Sequence, residues 1–439
     1  MAIRTGQDHE QHDSYAALRF RDFRFLVSGG FLAGFAEDMV SVVVGWELYQ
    51  RTNSAFALGL VGLVQIVPTL MLALPAGHFV DQHDRKRIAA VTMLVMSAAV
   101  GTLAVVSSTS GALALIYAAL LVMGICRAFI FPAVASLMPH TVPESEYANA
   151  AAWETSLSQI ATISGPAIGG IGVAVFGDEA IIYVAAAFML LVAAGCFALI
   201  RAKFDAPVAE KMTIDSMLVG VRFVRSNRVI LASIMLDMVA VLLGGATALL
   251  PIFAVDILHV GSVGLGFMRA APAIGALLAG VIVAHRPPFR FAGRTLLFVV
   301  AGFGVATIVF GLSTNLWLSL AALFMIGAFD SISMIIRGTL VMIWTPDEMR
   351  GRVISVESVF VGISNELGAF ESGVIAALLG ATATVALGGI GTILVVSAIA
   401  LWWPEVRRLR RLDSLGTDAD IAAIEIRRLD PGASDSSPS

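Results

Sequence analysis

Charged side chains inside long apolar runs are the residues of this sequence best placed to do chemistry. Glu37 and Asp38 interrupt the first run, Arg127 the fourth, Asp237 the seventh, Arg269 the eighth, Asp330 the tenth, and Glu366 and Glu371 the eleventh. Each such group costs roughly 2.5–3.5 kcal/mol at mid-membrane on insertion scales, so it marks either a function or a specific partner. A carboxyl group in a low-dielectric site exchanges a proton near neutral pH more readily than one in water. Glu37 and Asp38 therefore read as a proton-coupling pair, with a structural ion pair or a cap at a helix break as the blander alternative. Neighbouring residues point about 100° apart on a helix, so at most one of the two faces a central cavity squarely. Arg127 is the natural counter-charge, because a proton and an arginine competing for one carboxylate form a workable switch.

Arg127, Asp237, Arg269, Asp330 and Glu366 read as cavity or substrate-binding groups, although a purely structural Asp330–Arg269 pair fits as well. Glu366 and Glu371 are well separated around their helix, and Glu366 is the one expected to face the cavity. Glu47, Asp256 and Arg337 lie near run ends and read as interfacial, as do Trp46, Trp317, Trp344, Trp402 and Trp403. No nucleophile–base pair, metal-ligand cluster or phosphate-binding G-x-x-x-x-G-K-[ST] stands out, so neither an enzyme nor a nucleotide-driven pump is expected, and no cofactor or metal. His78, His83, His140, His259 and His285 fall at run edges.

The elements that must carry these groups follow from composition. Hydrophobic residues make up 58% of the 439 residues and charged ones 14%, against roughly 25% charged in an ordinary globular protein. With a mean hydropathy of +0.88, the chain has too much apolar surface for a soluble fold and reads as a polytopic membrane protein. A net charge of −4 with scattered basic clusters argues against nucleic-acid binding. Cys126 and Cys196, both in apolar runs, read as small buried hydrophobes.

Twelve runs are long enough to cross roughly 30 Å of hydrocarbon. They cover about residues 23–49, 54–80, 88–108, 111–138, 148–176, 179–200, 228–256, 260–284, 294–313, 315–344, 353–379 and 381–403. Ten-residue alternating segments are absent, which excludes a membrane β-barrel and leaves an all-α membrane protein. The first run is too long and too charged for a cleavable signal peptide. Tyr15 to Phe25 alternates aromatic and basic residues and is suited to lying along headgroups. With both termini cytoplasmic, 24 of the 28 basic residues lie inside and only Arg51 in an outer loop; Arg127, Arg269 and Arg337 lie within spans. That bias sets the expected orientation.

Gly77 and Gly280, Gly124 and Gly327, Pro143 and Pro346, and Gly165 and Gly368 are each 203 residues apart. Four landmarks at one offset predict two pseudo-symmetric six-helix halves, and parallel repeats with a site between them are a transporter design. Residues 1–22 are expected to form a cytoplasmic N-terminal segment and 23–200 the first half. A cytoplasmic linker is expected over 201–227, the second half over 228–404, and a basic, then disordered, cytoplasmic tail over 405–439.

The loop after the second run reads Gly77-His78-Phe79-Val80-Asp81-Gln82-His83-Asp84-Arg85-Lys86-Arg87. As chemistry it offers a helix cap and lipid anchoring. As a pattern it resembles the signature loop of the major facilitator superfamily, G-x-x-x-D-x-x-G-R-[RK], with Asp84 in place of the usual glycine. The resemblance implies that Gly77, Asp81 and Arg85 belong to a cytoplasmic gate. Only Arg286 and Arg290 stand at the matching loop of the second half, which implies an asymmetric latch. Gly165-Pro166-Ala167-Ile168-Gly169-Gly170 is on its own a packing kink, and resembles the superfamily's antiporter motif. The acidic first helix with Arg127 in the fourth is similar to its drug–proton antiporters, although Arg127 lacks their fuller motif. Leu48–Thr52, Leu58–Gly62, Thr345–Arg352 and Ser364–Gly373 are similar to the twelve-helix bacterial exporter branch that includes the enterobactin exporter and macrolide efflux proteins.

The reading implied is a multi-pass protein of the bacterial inner membrane, working as a monomer. It would export a small amphipathic molecule, drug-like or siderophore-like, in exchange for protons by alternating access. Proton symport or facilitated uptake of a metabolite, and a non-transporting membrane sensor, are the alternatives.

Overall fold

The computed structural model describes residues 13–202 and 214–403, apart from 245, 288 and 290, together with residue 407. Expectations placed on residues 1–12, on 203–213 of the linker, on Arg290 and on the tail beyond 403 (Arg407 aside) lie outside the described residues. Among those described, the chain is helical with no strand. The first half consists of α1 (Arg21–Thr52), α2 (Ala55–Gln82), α3 (Arg85–Ser108), α4 (Leu113–Ala135), α5 (Tyr147–Phe176) and α6 (Glu179–Ala198). After α7 (Ile214–Ser226), the second half consists of α8 (Arg228–Leu243), the short α9 (Leu250–Ile252), α10 (Gly261–Ala284), α11 (Ala292–Leu312), α12 (Leu316–Trp344), α13 (Asp347–Leu379) and α14 (Ala381–Trp402).

In hydrocarbon each backbone N–H and C=O must be satisfied within its own segment, which leaves these apolar runs no alternative to helix. Polar residues at the ends take up the free backbone groups. Ser54 Oγ accepts from the Ala57 N–H at 3.3 Å, Asp178 Oδ1 from the Ala180 N–H at 2.9 Å, and Asn315 Oδ1 from the Trp317 N–H at 2.9 Å. Gly177 and Gly380 close α5 and α13 with φ of 65° and 84°, which glycine adopts without strain.

Eleven helical stretches among the described residues are long and apolar enough to cross a membrane, where twelve runs were expected. The difference is α13, which at 33 residues has the length but carries Glu357, Glu366 and Glu371. The seventh run, expected over 228–256, is long and apolar enough to cross, but its helix is interrupted. α8 stops at Leu243, a 3-10 turn covers Ala246–Leu249, and a π-helical turn covers Phe253–Ile257 after α9. Gly244 at the end of α8 and Pro251, which lacks an N–H, mark the break. Irregular backbone at this depth is tolerated only where protein buries it or a cavity receives it.

Two of the three glycine pairs spaced 203 residues apart do the same work in both halves; Gly77 and Gly280 make no such close approach. A Cβ on Gly124 would lie 2.6 Å from the Gln65 carbonyl oxygen of α2, and one on Gly327 would strike the Pro272 carbonyl oxygen of α10. A Cβ on Gly165 would lie 2.9 Å from Asp38 Cβ of α1, and one on Gly368 2.8 Å from the Leu242 carbonyl oxygen of α8. Each pair therefore lets one helix approach the equivalent neighbour within its own half.

The halves meet along α2 with α13 and α5 with α10. A Cβ on Gly59 would fall 2.9 Å from Gly373 Cα, one on Gly62 2.8 Å from the Glu366 carbonyl oxygen, and one on Gly266 2.7 Å from the Pro166 carbonyl oxygen. All three approaches lie toward the end of the bundle opposite residue 21.

Gly124→Ala is expected to lower stability by about 1–3 kcal/mol through overpacking, read as a lowered midpoint of thermal unfolding. Gly77→Ala, whose Cβ would meet nothing within 4 Å, is expected to leave the midpoint unchanged. Equal midpoints for the two variants would contradict the packing role of Gly124.

Candidate functional site

Four of the charged groups in the apolar runs converge on a cavity of about 200 Å³ between the halves. Its charged lining is Glu37 of α1, Arg127 of α4, Arg269 of α10 and Glu366 of α13, with Ser41 and Gln65 beside them. Arg127 Nε donates to Glu37 Oε2 at 3.1 Å. A second cavity, of about 540 Å³, runs from this same pair toward the end of the bundle where α1 begins. Its lining comes from the first half alone and is mostly apolar, including Phe23, Phe31, Ile130 and Phe131. Glu37 and Arg127 line both cavities, so the ion pair stands on the wall they share.

The break in the seventh run has a place in this site. Thr247 lies in the 3-10 turn, where its carbonyl is freed from the helical ladder, and Arg269 Nη1 donates to that oxygen at 2.8 Å. Arg269 Nη2 donates to Ser41 Oγ at 2.6 Å. Ser41 is one turn beyond Glu37 on α1, so an arginine of the second half is hydrogen-bonded to the acidic helix of the first. Half-helix ends and unwound carbonyls at a midplane site are a recurring transporter device.

Of the adjacent carboxylates, Glu37 faces the cavities. Asp38 turns toward α5, where it hydrogen-bonds Thr162 and packs against Gly165, and it lines neither cavity. The Gly165-Pro166 and Gly169-Gly170 segment is buried. Gly169 opposes Met39 of α1, and Gly170 opposes the Ser262 carbonyl of α10, so this segment serves contact both within the first half and between halves.

Several expected placements are corrected. Asp237 and Asp330 do not line the central cavity but lie together at a separate small cavity inside the second half. Asp237 pairs with Arg337 at 2.8 Å, and Arg269 is occupied by Ser41 and Thr247, so no Asp330–Arg269 pair forms. Arg337 is not interfacial, being only 3% exposed, because α8 and α13 pack over the end of α12 that carries it. Glu47 is likewise buried, held by Arg51 at 2.6 Å and by the Tyr183 hydroxyl, which donates at 2.7 Å. Asp256 accepts from the Tyr49 hydroxyl across the two halves.

At the loop with the signature pattern, Arg85 is buried and donates to the Ser136 carbonyl at 3.4 Å, and Lys86 donates to the Ile200 carbonyl at 3.1 Å. Asp81 is exposed and makes no ion pair among the described residues. These bonds stay within the first half, and this end of the bundle is not latched across the halves by them.

Ser41, Gln65, Glu154 and Glu357 were not singled out in the sequence. The first two are uncharged and carry no signal without a structure. Glu154, which lines the larger cavity, and Glu357, which neighbours Arg337, are themselves 203 residues apart, so the repeat offset could have found them.

Membrane-crossing helices in two repeated halves around a polar central cavity define a membrane transporter of the major facilitator fold. Within that class, residues 12–424 match the transmembrane secretion effector family, and the chain belongs to it. Among curated relatives, the multidrug efflux pump Tap of Mycolicibacterium fortuitum is 25% identical, covering 86% of this chain and 94% of its own. Macrolide efflux protein A of Streptococcus pyogenes is 22% identical, covering 85% and 93%. The enterobactin exporter EntS of Citrobacter koseri is 22% identical, covering 89% and 93%. Among solved structures, an inward-facing, unoccupied bacterial homologue of the lysosomal transporter Spinster superposes with a TM-score of 0.68 at 13% identity, covering 91% of this chain and 97% of its own. A peptide transporter POT gives a TM-score of 0.68 at 12% identity, covering 89% and 96%. The chain is therefore a multi-pass membrane transporter, not an enzyme.

Removing one partner of the Glu37–Arg127 pair leaves the other charge in a low-dielectric wall. Arg127→Gln is expected to lower stability by about 1.5–3 kcal/mol, and adding Glu37→Gln to restore part of it. A double variant no more stable than Arg127→Gln alone, measured by thermal unfolding in detergent, would contradict the pairing.

Proposed function

We propose that this transporter exports a small amphipathic molecule across the bacterial inner membrane in exchange for protons, by alternating access and as a monomer. With both termini cytoplasmic, the conformation described is open to the cytoplasm. The observation that carries this reading is the Glu37–Arg127 pair on the wall shared by the two cavities. When Glu37 is ionised it holds Arg127, and α1 is tied to α4. When a proton takes that carboxylate, Arg127 is released to the cavity and its electrostatic hold is lost. Asp38, held against α5, acts on the same electrostatics from behind the wall. The opening of the signature loop, with Asp81 exposed, fits a gate that engages only when the other end opens.

The larger cavity favours a cationic cargo. Its apolar wall receives an aromatic or aliphatic body, and Glu154 offers a carboxylate without an ion-pair partner among the described residues. Arg127 and Arg269 are each already engaged. The multidrug, macrolide and enterobactin exporters among the relatives support export of amphipathic molecules in general.

In everted vesicles energised by respiration and carrying a pH-sensitive dye, a lipophilic cationic antibiotic or dye is expected to dissipate the proton gradient only when the wild-type protein is present. Glu37→Gln is expected to abolish the response and Glu154→Gln to weaken it several-fold for cations. A response to catechol siderophores but not to cations would overturn the cargo assignment. Cargo movement with no proton response, or one of opposite sign, would overturn antiport.

A further inference from the structure

The second half holds a charge cluster that the central cavity does not use. Arg337 and Asp237 form their 2.8 Å pair with side chains only 3% and 6% exposed. Glu357 of α13 stands 3.5 Å from the other terminal nitrogen of the same guanidinium. Asp330, two turns before Arg337 on α12, joins Asp237 and Ser333 in lining a cavity of about 10 Å³. That is room for about one water molecule.

One arginine thus faces three carboxyl groups at membrane depth. Asp237 and Glu357 engage it, and Asp330 is left without a cationic partner among the described residues. Among the described residues the neighbouring helices supply none. Arg269 of α10 is bonded at the central cavity, α11 presents Val300 and Phe303, and α14 carries no charged residue. Three like charges around one cation, away from water, are not stable together, and the cluster sheds charge by binding a proton.

An independent observation points to a ligand at the same place. Ser333 is only 3% exposed, its hydroxyl has no hydrogen-bond partner among the described residues, and it lines the small cavity with the two aspartates. Arg337 Nε and Nη1 also make no hydrogen bond among the described residues, Nη1 meeting Glu357 only as an ion pair. A desolvated metal cation needs more oxygen ligands and more room than this cavity offers, whereas a proton needs one acceptor. The cluster also repeats the first half. Asp330 stands 203 residues after Arg127 and Glu357 203 after Glu154, so a charged site sits at matching places in both halves.

We propose that Asp330 is a second proton-binding carboxyl group, distinct from Glu37, and that it holds its proton in the conformation described. Proton binding is read without transport, so failure of the antiport reading would leave this one standing, and the reverse. The test is infrared spectroscopy of the full-length protein in lipid nanodiscs, following the carbonyl band of protonated carboxyl groups at neutral pH. The wild-type protein is expected to show a band that shifts when aspartate carboxyls carry carbon-13. The band is expected to be lost in Asp330→Asn and retained in Glu37→Gln, with thermal unfolding confirming that each variant is folded. Absence of an isotope-shifted band in the wild type would overturn the proposal without recourse to any variant. So would an unchanged band in folded Asp330→Asn, or its abolition by sodium chloride at constant pH, which would assign the site to sodium.

Discussion

A charged side chain at membrane depth needs an opposite charge or a polar partner, and that constraint organises the site. Glu37 and Arg127 meet at 3.1 Å on the wall between two cavities. Neither side chain is sealed off, since about a fifth of Glu37 and a third of Arg127 remain exposed. A fully buried pair would be a fixed strut. A pair open to cavity water can be broken by a proton, which is what a coupled transporter requires. The second arginine of the cavity, Arg269, takes its partners from Ser41 and from a carbonyl released by the broken seventh run.

Close backbone approach is what allows the halves to meet around that pair. Gly59 against Gly373, Gly62 against Glu366, and Gly170 against Ser262 and Gly266 form seams of close backbone approach. Such seams suit surfaces that must part and re-form, because they rest on many weak contacts. The Tyr49–Asp256 hydrogen bond adds a polar clasp at the same end. At the other end, among the described residues, Arg85 and Lys86 bond only within their own half, to the Ser136 and Ile200 carbonyls and the His140 ring.

Helix positions were largely legible in the sequence because hydrocarbon thickness imposes run length and because backbone polarity allows nothing but helix. The repeat was legible for a related reason: close packing at equivalent places demands glycine at equivalent places, as Gly124 with Gln65 and Gly165 with Asp38 show. The break after Leu243 was hidden because the chain stays apolar through it, although Gly244 and Pro251 were its marks. The convergence of Glu37, Arg127, Arg269 and Glu366 followed from the rarity of charge in spans. Partner choice did not. Which of Asp237 and Asp330 receives an arginine depends on how α8, α12 and α13 are rotated against each other, and linear position carries no record of that. Arg337 was misjudged for the same reason, since nearness to a run end says nothing of what packs over it.

The most direct test of the account separates proton movement from cargo movement. In proteoliposomes, cargo inside can exchange for labelled cargo outside without net proton transfer, whereas uphill accumulation needs the proton. Glu37→Gln, locked in the neutral form, is predicted to retain cargo exchange and to lose accumulation driven by a proton gradient. Loss of both would make Glu37 a cargo-binding or structural residue, and retention of gradient-driven accumulation would show that the coupling proton is carried elsewhere.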